Sequence, residues 1–373
     1  MKVGLLTVHR LPNFGSVLQT YALYKTINSL GHDCEIIDYL YPNEWHIRKG
    51  CWYPKRNSIK RRIAVALGLR PENFLQRMNK FVFSNMKTSR PFLSYESIHK
   101  NPPIYDVYVV GSDQLWNWKT MYMDTTFLLD FAPNTRPCIS FSTSIAQNTI
   151  PDEFLELYRK NLSKFKAISV REENGQKLLK ASCGIDAELV QDPTLLLGKE
   201  QWKQLAEKAQ FKTKIPSRYI LCYTLAYTFD PKPKMNELLG RLEQIYDCPI
   251  IMLNIIKQDY MGKLFHFAKN QSIGIPEFLW LIMHSTAIAT SSFHGTAFAV
   301  NFGKPFYSLI EKTQQDDDRI SSFLRIVGLT SQIVTNHTDV QDIKVCSYNI
   351  EKVQQSLALI REHSFSFLKD NIK

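Results

Sequence analysis

The chain has no C-x-x-C pair, and its cysteines are odd in number, seven among 373 residues. That argues against a zinc ribbon and against a disulfide framework. Several of them sit in apolar runs, such as Cys222 in YILCYTL, and read as buried reduced thiols. No uninterrupted apolar stretch approaches the ~20 residues a membrane span needs. The opening MKVGLLTVHRLPNFG has a short apolar run and no small-residue cleavage site, so it does not read as a signal peptide. No internal repeat of roughly 20–50 residues and no low-complexity tract is found. These absences lead to the expectation of a soluble, cytoplasmic protein.

What is present is ordinary globular composition, 44% hydrophobic and 22% charged, too apolar for disorder and long enough for about two domains. The formal net charge of +11 is concentrated in one segment. Between Arg48 and Arg90 there are twelve Lys or Arg and a single acid, Glu72, while the remainder balances at 34 against 34. A partner of that segment is expected to be anionic.

The order of elements is that of an α/β protein. Lys2–Val8 reads as a strand, His9–Ser16 as a loop, Val17–Leu30 as a helix with Gly31 past its end, and Cys34–Tyr39 as a second strand. Such a βαβ opening implies a parallel sheet. Ser58–Leu69 and Glu72–Met86 read as two basic helices broken at Gly68–Pro71. Strands follow at Tyr105–Val110, Cys138–Ser144, Ala167–Val170 and Ala187–Val190, with helices at Phe154–Phe165 and Glu172–Ser182. DPTLLL reads as a linker. A second series then alternates strands Tyr219–Tyr223, Pro249–Asn254, Ala287–Thr290 and Pro305–Leu309 with helices Met235–Tyr246, Pro276–His284 and Gly295–Phe302. Ile350–Leu368 is a helical tail. The expected division is 1–190, carrying the basic insertion 48–90, then 191–345, then a tail 346–373. Two Rossmann-like domains facing a cleft follow from this order, with ligands at the carboxyl ends of the strands.

Four strand ends concentrate polar residues. HRLPNFGSVLQTYAL has exposed N–H groups at Gly15–Val17 that suit an anion or a sugar hydroxyl, or a tight turn with Ser16 as cap. In VVGSDQLWN, Gly111 allows close backbone approach, and Ser112, Asp113, Gln114 and Asn117 crowd together. Asp113 reads either as a general base or orienting group, or as a helix cap. In AISVREENG, Arg171 reads as a bidentate clamp for a carboxylate or phosphate, or as half of a salt bridge to Glu172, Glu173 or a distant acid. In ATSSFHGTAFAVNFGKPF, His294 stands at a helix N-terminus where free N–H groups and the dipole favour phosphate, and Gly295 leaves room beside it. Lys304, Arg319 and Arg325 lie just beyond. Asp316–Asp318 read as a metal site or as a solvated loop.

Taken in order, NFGSVLQTYAL with CEIIDY, then GSDQLWN, ISVREENG, QDPTLLL, SFHGTAFAVNFGKPF and RISSFLRIVGL resemble the polysaccharide pyruvyl transferase family over roughly residues 3–330. The resemblance implies a GT-B-like fold, with the acceptor on the N-terminal domain and the donor, phosphoenolpyruvate, on the C-terminal one. It implies a product in which pyruvate bridges two hydroxyls of one sugar as a ketal. The family's donor Arg and its His before Gly match Arg171 and His294. Some members have Arg-Leu-His where this chain has Ser292-Phe293-His294, so a second donor Arg is absent at 292. Lys304, Arg319 or Arg325 are the candidate replacements.

On this reading His294 is the acid that protonates the methylene carbon and Asp113 activates or orients the hydroxyl. Donor contacts are expected from Arg171, Ser292, Gly295, Lys304 and Arg319. Acceptor contacts are expected from Asn13, Gly15, Ser16 and Gln19, and from Ser112, Gln114 and Asn117. No metal and no cofactor beyond the phosphoenolpyruvate co-substrate is required. The saccharide is expected to be a polysaccharide repeat-unit precursor, with a lipid-linked form among the options. Residues 48–90 are then either a contact with the anionic inner face of a membrane or a solvated helical insertion. Two rivals remain. One is a GT-B-type nucleotide-sugar glycosyltransferase. The other is a nucleic-acid binder, suggested by Trp45, Trp52 and Tyr53 near the basic run; no recognition motif supports it, and nucleic acid is not expected.

Overall fold

The computed structural model describes residues 1–40, 72–226, 229–253, 259–268, 271–313 and 317–373. The basic helix expected at Ser58–Leu69 lies outside them. The chain forms two compact units, one of Met1–Leu196 with Ile360–Lys373 and one of Leu197–Leu359. Each is a parallel-sheet α/β unit, as the alternation of apolar runs implied.

In the first unit the strands are β1 (Lys2–Leu6), β2 (Asp33–Ile36), β3 (Val107–Asp113), β4 (Cys138–Thr143), β5 (Phe165–Ala167), β6 (Ser169–Val170) and β7 (Glu188–Leu189). They pair in the order β2-β1-β3-β4-β6-β7, with β5 beside β4. β3 and β4 are buried along nearly their whole length, as in a sheet covered on both faces. Helix α1 (Phe14–Ser29) connects β1 to β2 and ends as expected, with Gly31 at φ +85. The close approach allowed by Gly111 is used by this helix: a Cβ there would lie 2.2 Å from Leu23 Cδ2. Helix α2 (Phe74–Asn85) lies within residues 72–90, the described part of the basic segment. It packs on α1 through Met78, Phe81 and Val82, with Phe14–Phe74 and Tyr21–Phe81 ring contacts at 4.8 and 5.4 Å. Three short or mid-length helices complete the stretch before β5: α3 (Tyr95–Lys100), α4 (Trp118–Met121) and α5 (Asp152–Leu162). Helix α6 (Glu173–Cys183) joins β6 to β7.

The second unit opens with helix α7 (Lys199–Ala206). Its strands are β8 (Ile220–Tyr223), β9 (Ile250–Met252), β10 (Leu264–Phe265), β11 (Ala287–Thr290), β12 (Phe306–Leu309) and β13 (Ile333–Val334), in the order β10-β9-β8-β11-β12-β13. Helix α8 (Lys232–Tyr246) buries Met235, Leu238, Leu239 and Leu242, a one-face spacing that sets it on β8, β9 and β11. Helices α9 (Ile275–His284), α10 (Phe293–Phe302) and α11 (Arg319–Ile326) follow. The last helix, α12 (Ile350–Asn371), starts in the second unit and ends in the first. There Gln191 N donates to Ser364 Oγ at 2.9 Å, and Arg361 Nε donates to Leu195 O at 2.7 Å.

The thiols at Cys34, Cys138, Cys222, Cys248 and Cys346 are buried, and burial pushes that of Cys138 up to about 11. They are core groups with little thiolate character. Cys51 lies outside the described residues. No helix among the described residues is long and apolar enough to cross a membrane.

Candidate functional site

An open parallel sheet binds ligands at the carboxyl ends of its strands, where neighbouring connections run to opposite faces. In the first unit that point lies between β1 and β3, and in the second between β8 and β11. The four polar strand ends can be placed against this geometry.

After β1, the cap of α1 is Asn13, not Ser16. Asn13 Oδ1 accepts Gly15 N at 2.8 Å and Ser16 N at 3.3 Å, and Asn13 O accepts Val17 N at 3.3 Å. The N–H groups at Gly15–Val17, read as exposed, are therefore spent on Asn13. A short amide side chain in extended backbone reaches these groups better than a hydroxyl two residues inside the helix. Ser16, freed from capping, donates its hydroxyl to Asp113 Oδ2 at 2.6 Å, across the switch point. Gln19 is fully enclosed, its Nε2 on Thr7 Oγ1 at 2.8 Å and Ser16 O at 3.0 Å. It supports the turn from beneath.

Asp113 ends β3 in the left-handed region, at φ +76. For a residue other than glycine this conformation costs about 1–3 kcal/mol and persists only where neighbours impose it. It does not cap a helix: Asp113 Oδ1 accepts Gln114 N at 3.0 Å, while Asn117 caps α4 and donates to Gln114 Oε1 at 2.7 Å. Arg171 lies beside Asp113, fully buried. Its Nη1 donates to Asp192 Oδ2 at 2.6 Å and to Ser112 Oγ at 3.3 Å, and its Nη2 to Asp113 Oδ1 at 3.3 Å. Of the two readings of Arg171, the salt bridge to a distant acid is present. Asp192 Oδ2 also accepts Ser112 Oγ at 2.8 Å, and Asp192 Oδ1 accepts Thr194 N at 2.9 Å and Thr194 Oγ1 at 2.7 Å. The stretch read as a linker thus contributes a buried carboxylate to this edge. Such a pair is held by its additional hydrogen bonds, since desolvation offsets much of the Coulomb attraction.

Three further residues of this edge escaped sequence reasoning. His9 is fully buried, its Nδ1 3.1 Å from Thr7 O and its Nε2 2.9 Å from Asp38 Oδ1. Arg10 pairs with Asp38 Oδ2 and stacks its guanidinium 4.7 Å from the Phe83 ring centroid. Burial pushes the Asp38 carboxyl up, but hydrogen bonds and charge from His9 and Arg10 outweigh it and hold it below the usual range. The signal was a pair of polar residues closing two adjacent strands, His9 after β1 and Asp38 at the end of CEIIDY.

In the second unit the switch point is stitched by side chains. Thr290 Oγ1 donates to Tyr223 O at 2.6 Å, and Ser291 Oγ bridges Leu225 N at 2.9 Å and Leu225 O at 2.8 Å. Ser292 caps α10, accepting Gly295 N at 3.3 Å. His294 follows in the first turn, 4% exposed, with its ring centroid 5.4 Å from that of Phe293. The room expected beside Gly295 is filled by protein. A Cβ there would meet Thr290 Oγ1 at 2.4 Å and Tyr223 Cδ1 at 3.2 Å, so the glycine lets α10 close on β8 and β11.

Arg319 opens α11, which packs on α10 through Phe293 and Phe323, ring centroids 6.0 Å apart. Its Nε and Nη2 hold Asp317 at 2.7 and 2.5 Å. Asp317 is thus a partner of Arg319, and Asp316 lies outside the described residues. Lys304 does not join His294. It follows α10, whose ten residues span about 15 Å, and precedes β12, at the opposite edge of the sheet. Burial, and then Lys199, push its ammonium down. Among the described residues no group of three or more His, Cys, Asp or Glu is placed to hold a metal ion.

No curated protein matches the chain. Among solved structures, it is similar to a UDP-GlcNAc 2-epimerase from Methanocaldococcus jannaschii in complex with UDP-GlcNAc and UDP (TM-score 0.47, 13% identity, 97% of this chain and 93% of that one). It is also similar to the S. aureus MnaA–UDP structure (TM-score 0.48, 11% identity, 100% and 91%) and to E. coli ADP-heptose LPS heptosyltransferase II (TM-score 0.40, 10% identity, 97% and 99%). At such distances these likenesses say nothing of this chain's ligands. The family model for polysaccharide pyruvyl transferase matches residues 13–312. That span begins at the capping Asn13 and takes in both switch-point edges, with Asp113, Arg171 and His294: the chain belongs to the polysaccharide pyruvyl transferase family.

Proposed function

We propose that the protein transfers the pyruvyl group of phosphoenolpyruvate to a saccharide, forming a cyclic ketal on two hydroxyls of one sugar. Family membership supports a saccharide-directed transferase. The observation that carries the site is the Ser16–Asp113 hydrogen bond of 2.6 Å at the carboxyl edge of the sheet. It holds a carboxylate where an open α/β sheet receives its ligand.

In this scheme a proton from His294 adds to the methylene carbon of phosphoenolpyruvate and leaves C2 as an oxocarbenium-like centre. One sugar hydroxyl attacks C2 and gives up its proton to Asp113. The C2–O bond to phosphate breaks, and the second hydroxyl closes the ketal, its proton leaving with the phosphate. The diol loses two protons, the methylene gains one and the released phosphate the other, the proton on Asp113 passing through solvent to restore His294. Ser292 and the first turn of α10, with Arg319 nearby, are the proposed anion-binding groups of the second unit. Arg171 is proposed as the cation of the Asp113 edge, and Gln114 and Asn117 as contacts for acceptor hydroxyls.

Calorimetric titration with phosphoenolpyruvate, beside His294→Ala and Arg171→Ala variants and a nucleotide-sugar control, tests the donor. Phosphate release on adding candidate saccharides tests the reaction. Binding of the nucleotide-sugar with none of phosphoenolpyruvate would replace this reading by that of a glycosyltransferase.

A further inference from the structure

Glu172 follows Arg171 in the chain and is fully buried. It makes no side-chain cap to α6. Its Oε1 instead accepts Ile145 N at 2.7 Å, Ala146 N at 3.1 Å and Ser144 Oγ at 3.1 Å, all in the turn after β4. Ala146 stands at φ +48 in that turn. The turn in turn grips the end of β3: Ser144 N donates to Asp113 O at 2.9 Å, and Trp116 N donates to Ser144 O at 3.2 Å. One carboxylate is therefore linked by three hydrogen bonds to the segment that fixes the main chain of Asp113. A second observation points the same way. A Cβ on Gly175 would sit 3.1 Å from Glu172 Oε1, so the glycine of ISVREENG clears the path by which this carboxylate reaches β4.

We propose that Glu172 is a positioning residue for Asp113, acting through the turn Ser144–Ala146. Arg171 holds the Asp113 side chain, and Glu172 holds the backbone that carries it. Consecutive residues of opposite charge thus clamp one aspartate from two directions, and their joint action keeps it at positive φ. The inference rests on the reading of Asp113 as the group that acts on the acceptor hydroxyl.

The test uses the full chain with Glu172→Ala, Glu172→Gln and Asp113→Asn. Amide hydrogen exchange is followed over residues 138–150, and kinetics by phosphate release from phosphoenolpyruvate. Glu172→Ala is expected to speed exchange of the turn at least ~10-fold. It is expected to lower kcat ~100-fold, the scale of a 1 Å misplacement, with KM for phosphoenolpyruvate within about twofold. Glu172→Gln keeps an oxygen acceptor and is expected within about threefold of the parent in both readouts. Unchanged exchange in Glu172→Ala overturns the proposal. So does unchanged kcat where Asp113→Asn is inactive, and so does equal damage in Glu172→Gln, which would make the charge itself the acting feature. If Glu172→Ala does not fold, Gly175→Ala displaces the same carboxylate; parent-like exchange and turnover there overturn the idea. If Asp113→Asn keeps parent turnover, the reading of Asp113 falls, and exchange alone decides the role of Glu172.

Discussion

Ser16 and Asp113, 97 residues apart in sequence, are joined by a 2.6 Å hydrogen bond at the point where the strand order of the first unit reverses. Ser16 is itself placed by Asn13, which takes over the capping of α1 and leaves the hydroxyl to turn toward β3. Asp113→Asn is expected to lower turnover by about 10²–10⁴-fold, the range for loss of a general base, with the fold intact. Ser16→Ala removes one donor to a carboxylate and is expected to cost about tenfold in turnover. Phosphate-release kinetics of both variants decide the matter. Parent-like turnover in Asp113→Asn would remove this carboxylate from the chemistry.

The His9–Asp38–Arg10 cluster makes acid stability depend on one carboxyl. Its value is lowered on folding, so its contribution is fully present above the unfolded carboxylate value of about 3.9 and is lost as pH falls through the folded one. Asp38→Asn is expected to cost about 3 kcal/mol at pH 7, as removal of one partner from a buried pair does. The gap to the parent should narrow below about pH 4. Urea unfolding of both proteins between pH 7 and pH 2.5 measures this, and a gap independent of pH would refute it.

Gly295 is where α10 meets its sheet. Gly295→Ala is expected to destabilise by about 1–3 kcal/mol, because the new methyl meets Thr290 Oγ1, which is already committed to Tyr223 O. Thermal melting of the variant should show a clear fall. An unchanged melting temperature would mean that the helix shifts freely, and the same variant would then keep its affinity for phosphoenolpyruvate.

The basic segment is tested with vesicles. If residues 48–90 contact an anionic membrane face, sedimentation with anionic lipid at low and high salt shows binding that fades as salt rises. Absence of binding at low salt would leave the solvated insertion, in keeping with the way α2 packs its apolar face on α1.

The alternating strands and helices were legible because each strand of a covered parallel sheet is a near-continuous apolar run, as in VYVV of β3. Gly31 marked its helix end for the same local reason. What stayed hidden depends on distance in the chain. The apolar spacing places the start of α1 at Val17, and only the folded turn shows that Asn13, not Ser16, supplies the cap. β10 and β13, two residues each, carry no period to detect. Asp192 stands before a proline that marks a break, and its partner Arg171 lies 21 residues earlier, beyond any local pattern. His9 and Asp38 are 29 apart, and nothing local pairs them. Lys304 is close to His294 in sequence, but the helix between them carries it to the other edge of the sheet. The positions that sequence placed at strand ends are where the structure has them, but the partners that define their chemistry come from other strands.

The helix α12 gives the first unit two pieces of chain. Phe367 lies against Phe141 of β4, ring centroids 6.2 Å apart, and Leu368 and Ile372 are buried in the same unit. On a ribosome the first-made sheet must therefore wait, one flank uncovered, until residues 360–373 have emerged. The second unit is contiguous and can close before that. Maturation order then runs against the order of translation. A chain halted before residue 360 lacks Phe367 and leaves Phe141 of β4 without this cover.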